Sequence, residues 1–511
     1  MYSIYKGNKC LSVGDIAMDF ISTRGVTERT DAPGAIVRGL APDGGLYVPE
    51  SLPSFSQEEI GAMTGMEYPA LAACVLERFL PGFDGELLRS FAQKAYTSFD
   101  DPAAAPIRSL GDGLWTLELF HGPTCAFKDF ALQMLPYLLA ASVEMRGEKK
   151  TVAILVATSG DTGKAALAGF SDVPGTKICV FYPDGGVSDI QRAQMVTQEG
   201  NNVLVLAVEG NFDDAQTGVK HIFSDKALAA RLEKAGVMLS SANSINWGRL
   251  APQVAYYFSA YAQLVSSGAI RCGDRVDFAV PTGNFGDILA GYLAKRCGLN
   301  IGKLICASNS NNVLTDFLHT GVYDRNRPFL RTMSPSMDIL VSSNLERLLY
   351  MLTSDCRQVA GWMDSLNRTG RYDVGSDMLD RMRQEGFEAF CADEAETART
   401  IYRIWKTKRY LADPHTAVAI SAADAFRAES GDDAPCVVLS TASAFKFAPA
   451  MLSSLGQDVP KDGFSALEAL SKLSGQAVPP PLASLREKRE RFAGVTPPSA
   501  MGKAVESWLT E

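Results

Sequence analysis

Lys128 lies between Phe127 and Phe130, beside Asp129, in the stretch LELFHGPTCAFKDFALQML at 117–135. Aromatic neighbours desolvate an ammonium and lower its pKa toward the neutral amine, the form that attacks a carbonyl to give a Schiff base. Phe130, Met134, Leu138 and Ala141 recur at helical spacing. That spacing predicts a helix opening at Lys128, whose positive dipole end again disfavours the ammonium.

Two further stretches are candidates for holding anions. PTGNFGD (281–287) sets Gly283 and Gly286 just ahead of a helical pattern. Its N–H groups, with the helix dipole, suit a phosphate; the same glycines also suit a tight turn that needs positive φ. TSGDTGK (158–164) is similar but is not a Walker A loop, because Thr158 stands where that loop needs glycine and Ala165 follows Lys164. Neither loop fits a GxGxxG fingerprint, which counts against a nicotinamide enzyme. STASAFKF (440–447) offers hydroxyls at a strand end, either for a ligand or as a helix cap. SSANSINWGR (240–249) is dense in Ser and Asn and ends in Arg249, a side chain able to grip a second phosphate bidentately. Lys164 and Arg192 are lesser candidates for that phosphate, and His415 in DPHTAV is a candidate for ordering the site.

The elements that carry these residues are legible in outline. Strands TVAILVAT (151–158), KICVFYP (177–183) and NNVLVLAVEG (201–210) each lead into a helical pattern, as does VDFAVP ahead of the 281–287 loop. KLICASN (303–309) and PCVVLST (435–441) complete the set. Continuously apolar strands alternating with helices predict an α/β fold with parallel sheets, whose sites lie at the carboxyl ends of the strands. Residues 1–100 read as a separate α+β lobe, with strands at 21–25 and 45–50 and helix over 57–98; DDPAAAP (100–106) reads as a linker. A catalytic core is expected over 101–455, its smaller subdomain about 130–240 and a helical insertion about 345–412, followed by a peripheral tail at 456–511.

Composition narrows the class. The chain has 511 residues, 46% hydrophobic and 21% charged, with a formal net charge of -9, so neither a nucleic-acid backbone nor an anionic membrane is expected as partner. No apolar segment follows MYSIYKGNKC and no apolar run approaches membrane-spanning length. Ten scattered cysteines without a CxxC pair predict a reduced, cytoplasmic protein, and four separated histidines argue against a metal site.

Taken together, a desolvated lysine, an SGDTG turn, a TGNFGD loop and a terminal STAS resemble the fold-type II pyridoxal-phosphate enzymes, a tryptophan synthase β-like fold. HGPTCAFKDF, ATSGDTG, NSINWGRLAPQ, PTGNFGD, DPHTAVA and the early LAPDGGLYVPE are similar, in unbroken order over about residues 20–455, to the threonine synthase family. The resemblance implies that Lys128 holds pyridoxal 5'-phosphate and then serves as acid and base. It implies that Gly283, Asn284, Phe285, Gly286 and Asp287 enclose the cofactor phosphate and that Thr441 meets the pyridine nitrogen. Related enzymes commonly carry Asn where Asp161 stands, against the cofactor's 3-oxygen. Two anionic oxygens there would repel, so either a proton is shared or Asp161 points elsewhere. Thr158, Ser159, Gly160, Asp161 and Thr162 would receive the substrate carboxylate; Ser241, Asn243, Ser244, Asn246 and Arg249 would receive the substrate phosphate. The implied reaction turns O-phospho-L-homoserine and water into L-threonine and phosphate, in a monomer or homodimer. The rivals are a phospho-lyase releasing 2-oxobutyrate and a β-replacing enzyme of the cysteine or cystathionine synthase type.

Overall fold

A computed structural model describes residues 18–25, 29–158 and 160–511. Its frame is two sheets. One has five parallel strands in the order Val495–Thr496, Val203–Val208, Thr176–Pro183, Thr151–Ala157 and Val237–Ser240. The other runs Phe387–Cys391, Ile301–Ser308, Val276–Pro281, Cys436–Ser440, Leu114–Glu118 and Ile107–Gly111, parallel except for the hairpin formed by the last two. The inner strands are buried on both faces, which is why they read as unbroken apolar runs instead of alternating ones.

The helix Trp247–Ser266 runs through the interior and is buried on nearly every side, as a helix apolar all round must be. Trp247 meets Phe20 at 5.3 Å, Phe258 meets Phe55 at 4.9 Å, Tyr256 meets Phe130 at 5.6 Å and Tyr257 meets Phe278 at 4.9 Å between ring centroids. The opening lobe is therefore packed into one continuous apolar core and is not separate, because helix Tyr68–Phe79 carries Leu71, Val75, Leu76 and Phe79, which need that cover. Its two strands are Phe20–Ser22 and Tyr47–Pro49, with the helix Ala32–Arg38 between them, and the 57–98 stretch is three helices. Residues 26–28 and Ser159 lie outside the described residues.

Two other expectations need correction. The 345–412 insertion is not purely helical: FEAFC at Phe387–Cys391 is an edge strand, its half-buried Glu388 paired with Lys303 at 2.5 Å, a charged margin typical of edges. The tail is integral. Val495–Thr496 pairs with Val203–Val208, and Met501, Val505 and Leu509, one per helical turn, bury the helix Met501–Thr510 against the five-stranded sheet's helices. No helix of the described residues is long and apolar enough to cross a membrane.

Candidate active site

Loops leaving the carboxyl ends of strands in both sheets converge on Lys128. The loop after Leu114–Glu118 carries it; Phe127 N–H donates to the Thr441 carbonyl at 2.9 Å, and Ala126 bridges Ala442, so the Cys436–Ser440 strand end lies alongside. From the other sheet, Asp161 meets Lys446 at 2.6 Å. Lys128 opens a helix as expected, but that helix is only Lys128–Leu132, and a second, Leu135–Met145, continues the apolar spacing. Its Nζ lies 4.5 Å from the Phe127 ring and donates to Ser336 Oγ at 3.5 Å. Burial lowers its pKa to about 8; Asp161 and Asp287 oppose that shift, and Lys446 and Arg249 add to it. Desolvation thus favours the neutral amine, with no need of a helix dipole from so short a turn.

Asp161 is an ionised carboxylate with a buried cation of its own, Lys446. Although burial pushes its carboxyl up, Lys446 and Lys128 outweigh it and hold the group well below the usual carboxylate range, while Gln191 donates to it at 3.1 Å. Lys446 is fully buried and also donates to the Thr124 carbonyl at 2.9 Å. It went unrecognised in the sequence. The available signal was one charged residue inside the aromatic run AFKF.

The 281–287 loop shows which of its parts are free. Phe285 adopts φ 63°, and no side chain caps the helix Gly286–Arg296, so its first N–H groups are open to a ligand. Asn284 is exposed and uses its carbonyl to receive Asn344 Nδ2 at 3.0 Å; Phe285 is buried and stacks on Phe387 at 6.0 Å. Asp287 is turned inward: it accepts from Tyr256 at 2.5 Å and Tyr257 at 3.1 Å, and burial raises its pKa to about 7 against those bonds. A cradle in this loop is therefore one of backbone, not side chains. Gly283 is required for another reason, since a Cβ there would lie 2.7 Å from the Ser336 carbonyl.

The remaining candidates divide. Thr158 Oγ1 is committed to its own turn, receiving the N–H groups of Gly160 and Gly163 at 3.0 Å each, and Gly160 has φ 146° with Gln191 filling the space a Cβ would need. Thr162 is half-buried with no such commitment. In the 240–249 segment Asn246 is the helix cap, accepting from Gly248 at 2.9 Å and donating to the Ile36 carbonyl at 2.9 Å, so both ends of its amide are occupied. Ser241 accepts from Asn243 N–H at 3.3 Å, Ser244 reaches Ser343 at 3.5 Å, and the Asn243 side chain is exposed. Arg249 is buried, donates through one terminal nitrogen to the Ala242 carbonyl, and leaves Nε with no partner; burial lowers its pKa to about 10. Lys164 is bound to Gln198 at 2.5 Å, and Arg192 forms a surface pair with Glu490 at 2.7 Å. Among the described residues no cluster of His, Cys, Asp or Glu could hold a metal.

Residues 103–442 match the family described as pyridoxal-phosphate dependent enzyme, residues 19–96 the threonine synthase N terminus, and residues 416–506 the threonine synthase C-terminal family. A threonine synthase of Pseudomonas aeruginosa is 40% identical over 476 residues, spanning 93% of this chain and 95% of that one. The chain belongs to the threonine synthase family. A pyridoxal-phosphate-bound threonine synthase of Brucella melitensis superposes with a TM-score of 0.85 at 38% identity, over 96% of this chain and 99% of that one. Threonine synthase-like 1 of Pongo abelii is 40% identical over 470 residues, but this chain spans only 62% of its length.

The residues fit the cofactor of this threonine synthase scaffold. The Lys128 amine is poised near neutral pH. A Cβ on Gly286 would make only ordinary contacts, 3.5 Å from Asn344 Nδ2 and 3.7 Å from Gln253 Nε2, so the volume beside the loop's uncapped N–H groups has room for a phosphate. Gly286→Val should therefore weaken pyridoxal-phosphate affinity about tenfold or more by filling that volume, whereas Asn284→Ala should change it about twofold at most. Equilibrium titration of both apoproteins checks this; equal affinities would remove the cradle.

Proposed function

We propose that the chain converts O-phospho-L-homoserine and water to L-threonine and phosphate. The observation that carries this reading is the orphaned Nε of buried Arg249, a second anion site near Lys128 besides the cradle at 283–286. A β-replacing enzyme has no use for it. Pyridoxal phosphate, when bound, supplies the electron sink that renders the substrate's α- and β-hydrogens acidic.

The chain's own groups do the rest. Lys128 takes the α-proton, then a β-proton, and returns one at the γ-carbon after phosphate has left. Arg249 grips that phosphate with charge-assisted hydrogen bonds. Thr162 and the N–H groups of its turn would receive the carboxylate, and Thr441, buried at its strand end, would offer the pyridine nitrogen a neutral hydroxyl. The carboxyls of Asp161 and Asp287 have partners of their own, Lys446 and two tyrosines. Water then adds at the β-carbon, oriented inside a site that the strand-end loops shield. The nine described cysteines form no disulfide with one another, which suits a reducing, cytoplasmic setting.

Arg249→Ala should leave cofactor binding unchanged and weaken O-phosphohomoserine binding about tenfold or more, a modest share of what a desolvated charge pair contributes. Substrate-induced spectral titration reads both. Chromatography of the products tests the reaction itself: threonine and phosphate in equal amounts support it, and 2-oxobutyrate with ammonia would make the chain a phospho-lyase.

A further inference from the structure

A strap crosses the site between the helix Val313–Thr320 and the 342–344 turn, and at its centre is the 3₁₀ turn Pro335–Met337. Nothing in its sequence, RTMSPSMDIL, announces chemistry. Asn309, at the end of the strand Ile301–Ser308, holds it from one side, with Nδ2 donating to Thr332 Oγ1 at 2.9 Å, Ser334 Oγ at 3.0 Å and Asp338 Oδ1 at 2.8 Å. From the other side the Ser336 N–H donates to His415 Nε2 at 3.1 Å. His415 is buried, and its other nitrogen meets the fully buried Asp413 at 2.7 Å. Because Nε2 accepts, Nδ1 carries the proton and donates it to Asp413, so one tautomer is fixed. The Ser336 carbonyl packs against Gly283, where only hydrogen fits. Backbone N–H and carbonyl are thus both pinned, and the hydroxyl is left facing Lys128 Nζ at 3.5 Å.

We propose that Ser336 is a catalytic hydroxyl that orients the Lys128 amine, and that His415, backed by Asp413, is the positioning residue that keeps Ser336 in place. Accepting one N–H of the amine leaves its lone pair on the side away from the strap, where a carbonyl or an acidic hydrogen must lie to be attacked. The 3.5 Å separation is long, as catalytic hydrogen bonds commonly are before ligands arrive. The hydroxyl's effect on turnover rests on the reaction proposed above. Its effect on the amine does not.

Capture of pyridoxal phosphate by the full-length apoprotein needs no substrate, so it tests the amine alone. Ser336→Ala should slow capture about tenfold or more while leaving the equilibrium dissociation constant within about threefold, since a misdirected amine forms and breaks the bond equally slowly. His415→Leu should slow it to a similar degree, and the double variant should be no slower than either within about twofold, because both act through one hydroxyl. His415→Gln, whose amide oxygen can take the Ser336 N–H, should recover to within about threefold of the parent rate. Capture by Ser336→Ala at the parent rate would overturn the proposal, as would effects that multiply in the double variant or a His415→Gln variant no faster than Leu. If His415→Leu does not fold, Ser336→Ala and His415→Gln still decide it.

Discussion

Lys128→Ala should abolish turnover, by on the order of 10⁴-fold or more, because one side chain is removed from both the covalent and the proton-transfer roles. The fold should survive. Lys128 occupies the first position of a short helix whose apolar residues, Phe130, Ala131 and Leu132, keep their burial, and Asp161 keeps its direct partner Lys446. Melting temperature near the parent's, non-covalent cofactor binding and no product in a stopped assay are the expected set of results. Retention of a tenth of the parent rate would place the chemistry on another group.

Lys446→Met should cost about 3–5 kcal/mol of stability, since it strips the cation from a carboxylate sealed in the interior. Asp161 and Lys446 come from loops of different sheets and are both buried, and Gln191 with the more distant Lys128 replaces only part of what Lys446 supplies. The pH dependence follows from the sign of the shift. In the parent the folded Asp161 carboxyl lies below its usual 3.8, so its contribution is present above that pH and is lost as pH falls below it. In Lys446→Met the folded carboxyl should instead lie above its unfolded value, and stability should fall as pH rises above that unfolded value. Urea midpoints of Lys446→Met, with and without Asp161→Asn, measure this; the double variant should recover part of the loss. Identical pH profiles for parent and Lys446→Met would show that the pair carries no net energy.

These two residues also mark what the sequence discloses. Lys128 is legible because its chemistry and its desolvating neighbours lie within a few positions of one another. The strand-to-helix turns at Gly160 and Gly286 are legible for the same reason: strand, turn and helix follow in order. Lys446 and Ser336 acquire their roles only from residues far away in the chain. Lys446 reaches the Thr124 carbonyl and Asp161, and Ser336 reaches Lys128, across separations that no local spacing encodes. Asn246 shows the opposite error. A polar residue at a helix start resembles a ligand in sequence, but its amide is consumed by the cap. The edge strand Phe387–Cys391 escaped because its pairing with Ile301–Ser308 is set by the sheet, and five residues carry too little pattern of their own. The C-terminal strand of two residues is the extreme case.

The account stands on Lys128 as the residue that bears the cofactor. Borohydride reduction of the holoprotein, followed by proteolysis and mass mapping, tests it most directly. One pyridoxyl group per chain on the peptide containing Lys128, and none on those containing Lys164 or Lys446, is the predicted result. Label on either of those lysines, with Lys128 unmodified, would contradict it.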